Sequence, residues 1–225
     1  MDSLKRFFQQ EQADVICMQE LDKQDLALFA EVTGLPYSFT PMCKNEATGD
    51  VMGIGIFAKG IIQYRAHFIG GFTGDSLPIV APGSREDEYN SVIWQVLIAT
   101  ITFDNDLYTI ATTHFPATDG GLITDYQREV FSRLETVLST YDELLLCGDF
   151  NAPRGREIYS KLSETYTDNI PETYITSLDQ NLHRAGYLSL VVDGLFSTHH
   201  YQVDNVELKG GISDHLAIVS RVKKV

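Results

Sequence analysis

With 225 residues, the chain is long enough to bury one sizeable hydrophobic core, and we expect a single domain over residues 1–225. A hydrophobic content of 44%, a charged content of 21% and the lack of low-complexity tracts exclude the disordered and fibrous classes. Thirty-one acidic against 17 basic residues give a formal charge of -14, which disfavours tight binding to long duplex DNA, although a site that recruits a divalent metal can still admit a phosphodiester.

The cysteines Cys17, Cys43 and Cys147 are odd in number and have no metal-binding spacing. Two of them lie in apolar runs that predict strands, where cysteine behaves as a small hydrophobic residue. We therefore expect reduced thiols and a cytoplasmic protein. No apolar segment reaches the roughly 18 residues of a membrane-spanning helix, and residues 1–12 lack the apolar core of a signal peptide.

The front of the chain predicts helix, strand and helix. Residues 3–12 have the apolar spacing of an amphipathic helix, and residues 13–20 form a strand pattern that ends at Glu20. Asp22 is a candidate N-cap for a second helix, which Gly34 would end. Glu20 between two elements is either a solvated surface group or a metal ligand.

The middle of the chain is rich in strand patterns. Glycines alternate with apolar residues over 51–59, and a polar, glycine-rich stretch over 70–90 predicts a long surface loop. Residues 92–103 and 107–115 predict a hairpin whose second strand ends near His114. His114 is either a hydrogen-bonded structural histidine or a titratable group at an active site.

A predicted helix over 124–140 precedes an apolar strand, residues 144–147, that stops at Gly148. Asp149 and Asn151 follow in alternate positions, so an extended chain would place both side chains on one face. Such oxygen donors suit Mg²⁺ or Mn²⁺ and can also position water or a phosphate oxygen. The alternative is turn chemistry, because Asp and Asn also close Asx turns and cap helices.

Three basic or titratable residues could contact substrate. Arg154 precedes a short helix predicted over 155–163, where it could meet a phosphate or be solvated. His183 and Arg184 lie in a polar, turn-rich stretch, residues 164–187, that is a plausible substrate-facing loop.

Two acidic positions near the C-terminus are open to two interpretations. Asp193 with its following glycine is a hairpin-turn signal, but a strand that continues through it would bury a carboxylate that needs a partner such as histidine. Asp214 and His215 precede a predicted strand over 216–222. They would point to opposite faces unless the backbone bends, and they could also be a capping aspartate and a surface histidine.

Five short motifs, taken together and in order, carry a family resemblance. They are QE at 19–20, TTHFP at 112–116, GDFNAP at 148–153, VVDGLF at 191–196 and SDHLAI at 213–218. This set resembles the endonuclease/exonuclease/phosphatase family. The resemblance implies an α/β four-layer sandwich, in which two mixed β-sheets pack face to face with helices outside, and metal-dependent cleavage of phosphate esters.

The resemblance also implies roles for individual residues. It implies metal binding by Glu20 and Asp214, and catalytic roles for His114, Asp149, Asn151, Asp193 and His215. The implied metal is Mg²⁺ or Mn²⁺, and the implied substrate is a phosphate ester, more a diester than a monoester. The alternatives are a nuclease acting on DNA or RNA, and a noncatalytic binding protein that retains the fold.

Two departures from the family pattern carry expectations of their own. Gly194 stands where the family more often has a bulky residue. The chain also starts at the helix that follows the first family strand. The loss of a central strand would leave two open sheet edges, so we expect an upstream start or another segment in the gap.

Overall fold

The computed structural model of the protein describes residues 2–80 and 85–225. The α-helices of this part of the chain are α1 (Asp2–Glu11), α2 (Leu26–Thr33), α3 (Arg85–Asn90), α4 (Asp125–Leu138) and α5 (Glu157–Thr165). The strands are β1 (Val15–Asp22), β2 (Tyr37–Asn45), β3 (Val51–Ala58), β4 (Ile61–Gly71), β5 (Ile79–Val80), β6 (Ile93–Phe103), β7 (Asp106–His114), β8 (Leu145–Asp149), β9 (Thr167–Asp168), β10 (Asp193–Ser197), β11 (Tyr201–Lys209) and β12 (Ala217–Lys224).

The strands form two larger sheets and one hairpin. The first sheet has the order β1-β3-β2-β5, the second has the order β4-β6-β7-β8-β10-β9, and β11 pairs with β12 in a separate two-stranded sheet. The pairs β2–β5 and β7–β8 are parallel, whereas the other pairings are antiparallel, so both larger sheets are mixed.

Each larger sheet is covered on both faces. In β3, Ile56 belongs to the main core, whereas the next residue, Phe57, belongs to a second apolar cluster with Phe29 of α2. In β6, the successive residues Val96 and Leu97 are both 0% exposed. Because successive strand residues point to opposite faces, both sheets are interior layers.

The helices supply the two outer layers. Leu4 and Phe8 of α1 pack with the cluster around Phe57 on the first sheet. The helix α4 lies so close to β4 that a Cβ at Gly70 would come within 2.7 Å of Val130. The result is the predicted four-layer α/β sandwich, since helices lie outside two sheets packed face to face.

Most predicted elements are confirmed, with boundaries shifted by one to three residues. The helix predicted over 124–140 is α4, and Thr124 caps it by accepting a hydrogen bond from Gln127 N–H at 3.2 Å. The hairpin predicted on either side of Asp104–Asp106 is β6 and β7. The helices predicted over 3–12 and 155–163 are α1 and α5.

Two local predictions are wrong. Asp22 makes no capping hydrogen bond, because a short 3₁₀ turn over 23–25 separates it from α2. The stretch predicted as a loop over 70–90 contains the strand β5 and the helix α3, where Tyr89 anchors the chain by burying its ring. Residues 81–84 of that stretch lie outside the described residues.

Among the helices within residues 2–80 and 85–225, none combines the length and hydropathy needed to cross a membrane. The longest of them, α4, has 14 residues.

Candidate active site

The strand register places three of the predicted site residues in one row. His114 at the end of β7 is aligned with Asp149 at the end of β8, and Asp149 is aligned with Asp193 at the start of β10. Neighbouring strands lie about 4.8 Å apart, so three residues aligned in this way are lateral neighbours. The second sheet therefore brings together one histidine and two carboxylates that are distant in sequence.

The backbone beneath Asp149 can be built only with glycine at the preceding position. Gly148 has a φ of 146°, and a Cβ there would lie 2.1 Å from the Thr113 carbonyl oxygen of β7. The two parallel strands can thus approach closely just before their carboxyl ends. This close approach sets Asp149 beside His114.

Asp149 and Asn151 also form the turn that the sequence suggested. The Asn151 N–H donates to Asp149 Oδ1 at 2.7 Å, and Asn151 has a φ of 47°. Its side-chain Nδ2 donates to the Phe115 carbonyl at 2.9 Å. Turn chemistry is therefore present, and it fixes the end of β8 against the end of β7 without removing the carboxylate from the site.

Asp193 is the first residue of β10 and pairs with Asp149 of β8, so the hairpin-turn interpretation is wrong. It is 7% exposed, and its backbone N–H donates to Ser177 Oγ at 3.1 Å. The glycine after it fits the interior, because a Cβ at Gly194 would lie 2.4 Å from the Phe196 ring and 2.8 Å from the Phe150 ring. The alternative, a buried carboxylate with a histidine partner, is confirmed.

That partner is His215. Its Nδ1 lies 2.9 Å and 3.1 Å from the two carboxylate oxygens of Asp193, and its Nε2 lies 3.9 Å from Asp149 Oδ2. Burial opposes the charged ring, but the hydrogen bond and charge of Asp193, together with Asp149 and Asp214, outweigh it and raise the pKa of His215 to about 10. His215 therefore carries a positive charge at neutral pH.

Glu20 reaches this row of residues from the other sheet. Its Oε1 lies 3.9 Å from His114 Nε2, which in turn lies 3.7 Å from Asp149 Oδ2. The register of β1 shifts between Met18 and Leu21, and Glu20 has a φ of 50°. A bulge with a left-handed residue re-aims a side chain, and such strain is found most often at functional sites.

Burial and a neighbouring carboxylate raise the affinity of Asp149 for a proton. Burial raises the pKa of Asp149 to about 6, and the charge of Asp193 adds to this, while His114 and His215 oppose it. A carboxyl with such a pKa exchanges protons near neutral pH. The site thus combines a proton acceptor with a histidine that remains protonated.

The donor atoms could hold a metal ion. One ligand atom each from Asp149, Asp193 and His215 lies within 4.8 Å of the others. Asp193 and His215 already hydrogen-bond to each other, whereas the side chain of Glu20 is 68% exposed. The oxygen-rich set fits a hard divalent cation such as Mg²⁺ better than a soft one.

Asp214 lies beside the cluster and outside this group of three. Its side chain accepts a hydrogen bond from Ser213 Oγ at 3.1 Å, and its charge contributes to the raised pKa of His215. The predicted metal-binding roles of Glu20 and Asp214 stay predictions.

The structure does not bring the three predicted substrate-contacting residues into the cluster. The guanidinium of Arg154 lies 2.9 Å from Asp168 and donates to the Ile170 carbonyl at 2.8 Å. His183 accepts a local hydrogen bond from its own loop at Nδ1, and Arg184 is exposed. Arg154 therefore ties α5 to the strand β9, and the roles of His183 and Arg184 stay predictions.

Sequence reasoning missed three residues that support the site. Ser177 Oγ accepts hydrogen bonds from the N–H groups of Val192 and Asp193. The side chain of Asp179 accepts a hydrogen bond from Gly211 N–H at 2.7 Å, and its backbone N–H donates to the Asp214 carbonyl.

Trp94 packs edge to face against the His114 ring, with 6.2 Å between the ring centroids. Asp179 could have been suspected from its Asp-x-Asn turn pattern; the other two carry no local signal.

The family model that describes the endonuclease/exonuclease/phosphatase family matches residues 1–215 of the chain. A search of curated proteins gave no significant match.

Three solved structures illustrate the shared fold. An endonuclease/exonuclease/phosphatase from Bacteroides vulgatus has a TM-score of 0.72 and 13% identity, with 100% of this chain and 90% of that chain covered. The mannosyl-6-phosphatase of Bacteroides thetaiotaomicron has a TM-score of 0.68 and 12% identity, with 98% and 89% covered. The human Nocturnin catalytic domain, solved with a bound sulfate anion, has a TM-score of 0.66 and 16% identity, with 99% and 87% covered. By its family match and by its fold, the chain belongs to the endonuclease/exonuclease/phosphatase family.

Proposed function

We propose that the protein is a divalent-metal-dependent phosphodiesterase that hydrolyses its substrate by in-line attack of an activated water. The observation that carries this proposal is the convergence of five side chains: Glu20 from the first sheet, His114, Asp149 and Asp193 from the second sheet, and His215 from the segment before β12. Such a group offers proton acceptors, proton donors and hard oxygen ligands within one small volume. We propose Mg²⁺ or Mn²⁺ as the metal.

The charge of the site supports the need for a cation. Glu20, Asp149, Asp193 and Asp214 place up to four negative charges against one charged histidine, so a phosphate would be repelled without a bound metal. We assign Glu20 and Asp214 as the metal ligands, and Asp149 as the carboxylate that acts on the attacking water. The metal, when bound, supplies charge neutralisation at the phosphoryl oxygens.

His215 acts as a fixed donor in this proposal. Asp193 occupies Nδ1 and so leaves Nε2–H to point toward the side of the cluster where Asp149 lies. A phosphoryl oxygen there would receive a charge-assisted hydrogen bond. Asp193 thus works through His215 as a positioning residue.

Asp149 and His114 divide the proton transfers. Asp149, whose pKa is raised to about 6, takes the proton of the attacking water. His114 lies 3.7 Å from it and supplies a hydrogen bond or a proton on the side of the leaving oxygen. The side-chain amide of Asn151 donates one N–H to the Phe115 carbonyl, so its second N–H can donate to phosphate or water.

The charge of the whole chain favours a small substrate. A formal charge of -14 repels long duplex DNA, so we propose a small-molecule or lipid-like diester over a long nucleic acid. Two structural neighbours are consistent with a phosphate-ester substrate, because one is a mannosyl-6-phosphatase and another was solved with a sulfate, which has the tetrahedral shape of phosphate. A nuclease would use the same chemistry, but it should show strongly salt-dependent binding.

We further propose that residues 1–225 form one domain and act in a reducing, cytoplasmic compartment. One apolar core includes residues of both larger sheets, which supports the first statement. Three free cysteines support the second.

Hydrolysis of bis(p-nitrophenyl) phosphate and p-nitrophenyl phosphate, with and without Mg²⁺ or Mn²⁺, tests this proposal. We expect turnover of the diester that disappears on chelation and returns when metal is added back. Diester hydrolysis that survives chelation would contradict metal dependence. If p-nitrophenyl phosphate were hydrolysed faster than bis(p-nitrophenyl) phosphate, the protein would be a phosphatase and not a phosphodiesterase.

A further inference from the structure

A small pocket opens beside the catalytic cluster and is not needed for the chemistry at phosphorus. It has a volume of about 130 Å³ and is lined by residues of both larger sheets, among them Glu20 and His114 of the cluster. A larger cavity of about 500 Å³ lies near the loop after Leu178, but none of the residues proposed for catalysis lines it. The smaller pocket is therefore the one that continues directly from the site.

The walls of this pocket are mainly apolar. Met42, Met52, Val92 and Trp94 line it. The indole N–H of Trp94 donates to the Tyr89 carbonyl at 3.2 Å, so the polar edge of the ring is satisfied inside the protein. Methionine side chains adapt to a ligand's shape and make favourable contacts with aromatic rings. The walls thus suit a hydrocarbon or aromatic group.

Two carboxylates in the lining of the pocket restrict the charge of a group that can bind there. Glu20 and Glu88 both line the pocket, and Glu88 is paired with Arg85 at 2.6 Å, an ion pair that is about one third exposed. A second phosphate or a carboxylate in the pocket would find no free cationic side chain among the described residues that line it. The occupant is therefore uncharged or positively charged.

The size of the pocket limits the occupant further. Sites that enclose a whole small molecule have volumes of about 300–1,000 Å³, so about 130 Å³ holds only one substituent. A group of one ring, attached through an ester oxygen, would fill it while the phosphate stays among His114, Asp149 and His215.

We propose that this pocket, named here the Trp94 pocket, binds one ester substituent of the substrate, an uncharged and mainly apolar group about the size of a single aromatic ring. The assignment rests on the proposed phosphodiesterase function and deepens it. It selects diesters with a small apolar arm over polymers whose neighbouring groups are further phosphates.

Trp94 provides a probe that needs no turnover. It is the only tryptophan of the chain, so selective excitation reports the Trp94 pocket alone. In the presence of Mg²⁺, diphenyl phosphate should change this fluorescence and bind at least about tenfold more tightly than dimethyl phosphate, because burial of each CH₂-sized apolar unit favours binding. Bis(4-carboxyphenyl) phosphate should bind at least about tenfold more weakly than diphenyl phosphate.

Two variants on one short strand give a matched comparison. Val80 lines the pocket, whereas its neighbour Ile79 is 59% exposed and does not. Val80→Phe should abolish the preference for diphenyl phosphate and leave the binding of dimethyl phosphate unchanged, while Ile79→Phe should keep the preference. Equal binding of the two diesters by the unmodified protein, or an intact preference in Val80→Phe, would overturn the proposal.

The same preparations separate this proposal from the proposed function. Hydrolysis of bis(p-nitrophenyl) phosphate without any binding preference for diphenyl phosphate would contradict the proposal for the Trp94 pocket and support the proposed phosphodiesterase function. A clear binding preference for diphenyl phosphate over dimethyl phosphate without metal-dependent hydrolysis would support the Trp94 pocket and contradict the proposed phosphodiesterase function.

Discussion

Replacing Asp193 by asparagine tests how much the site depends on the orientation and charge of His215. Asp193→Asn keeps the shape of the side chain but removes the charge that His215 Nδ1 meets at 2.9 Å. A hydrogen bond to a charged group contributes about 1.5–3 kcal/mol, and each 1.4 kcal/mol corresponds to a factor of about ten in rate. We therefore expect kcat/KM for a phosphodiester to fall by about 10- to 150-fold.

The variant should also change the titration of His215. Without the hydrogen bond and charge of Asp193, the pKa of His215 should fall from about 10 toward its ordinary value of 6.5. His215 would then lose its charge near neutral pH, so the basic limb of the pH–rate profile should move to lower pH. NMR titration of the His215 ring and the profile of kcat/KM measure the two effects.

Asp168→Asn is the matched control, because Asp168 is also a partly buried carboxylate of the second sheet but pairs with Arg154. It should leave both the His215 titration and the pH profile unchanged. The reasoning would be refuted if Asp193→Asn kept kcat/KM within twofold of the unmodified protein and His215 still titrated near pH 10.

Three further outcomes follow from the packing and the titration of the site. Gly194→Ala should lower the free energy of unfolding by about 1–3 kcal/mol, because the new Cβ meets the buried Phe196 and Phe150 rings, and an unchanged urea midpoint would count against this packing. The pKa of His215 is raised from 6.5 to about 10, so the charged His215 should stabilise the folded metal-free protein fully below pH 6.5 and lose this effect as the pH rises toward 10. The urea midpoints of the unmodified protein and of His215→Gln should therefore converge between pH 6.5 and 10, and a constant difference between them would contradict this contribution of His215. Mg²⁺ at about 100 times its Kd should stabilise the fold by about 2.7 kcal/mol, seen as a higher Tm. Mg²⁺ binding should weaken below pH 6, because a protonated Asp149 no longer adds a negative charge to the site, and an equal rise of Tm in Glu20→Gln would place the metal elsewhere.

The sequence was most informative where an apolar run stops at a polar residue. Asp149 and His114 each end a strand, and the parallel pairing of those strands brings them side by side. Hydrophobic patterning fixes which segments are strands, and glycine at 148 marks where two of them approach closely. The convergence of these strand ends could therefore be predicted from the sequence pattern, whereas the four layers were implied by the family resemblance of the five motifs.

Long-range contacts account for what sequence reasoning could not reach. The choice between turn and strand at Asp193 depends on its pairing with Asp149 of β8, a strand far away in sequence. The aim of Glu20 depends on a bulge in β1 whose register is set by β3. Arg154 lies near the start of α5, where it could have met a phosphate or been solvated, yet it forms an ion pair with Asp168. Local sequence patterns do not reveal these distant partners.

The most direct test of the central claim is the metal-dependent hydrolysis of bis(p-nitrophenyl) phosphate by the unmodified protein and by Asp149→Asn, measured side by side. Asp149 is buried, lies in the row between His114 and Asp193, and has a pKa raised to about 6. Proton transfer by such a group contributes about 10²- to 10⁴-fold to a rate, so we expect a loss of that size in the variant, with Asp168→Asn unaffected. Equal hydrolysis by the unmodified protein and Asp149→Asn would contradict an active site built around this aspartate.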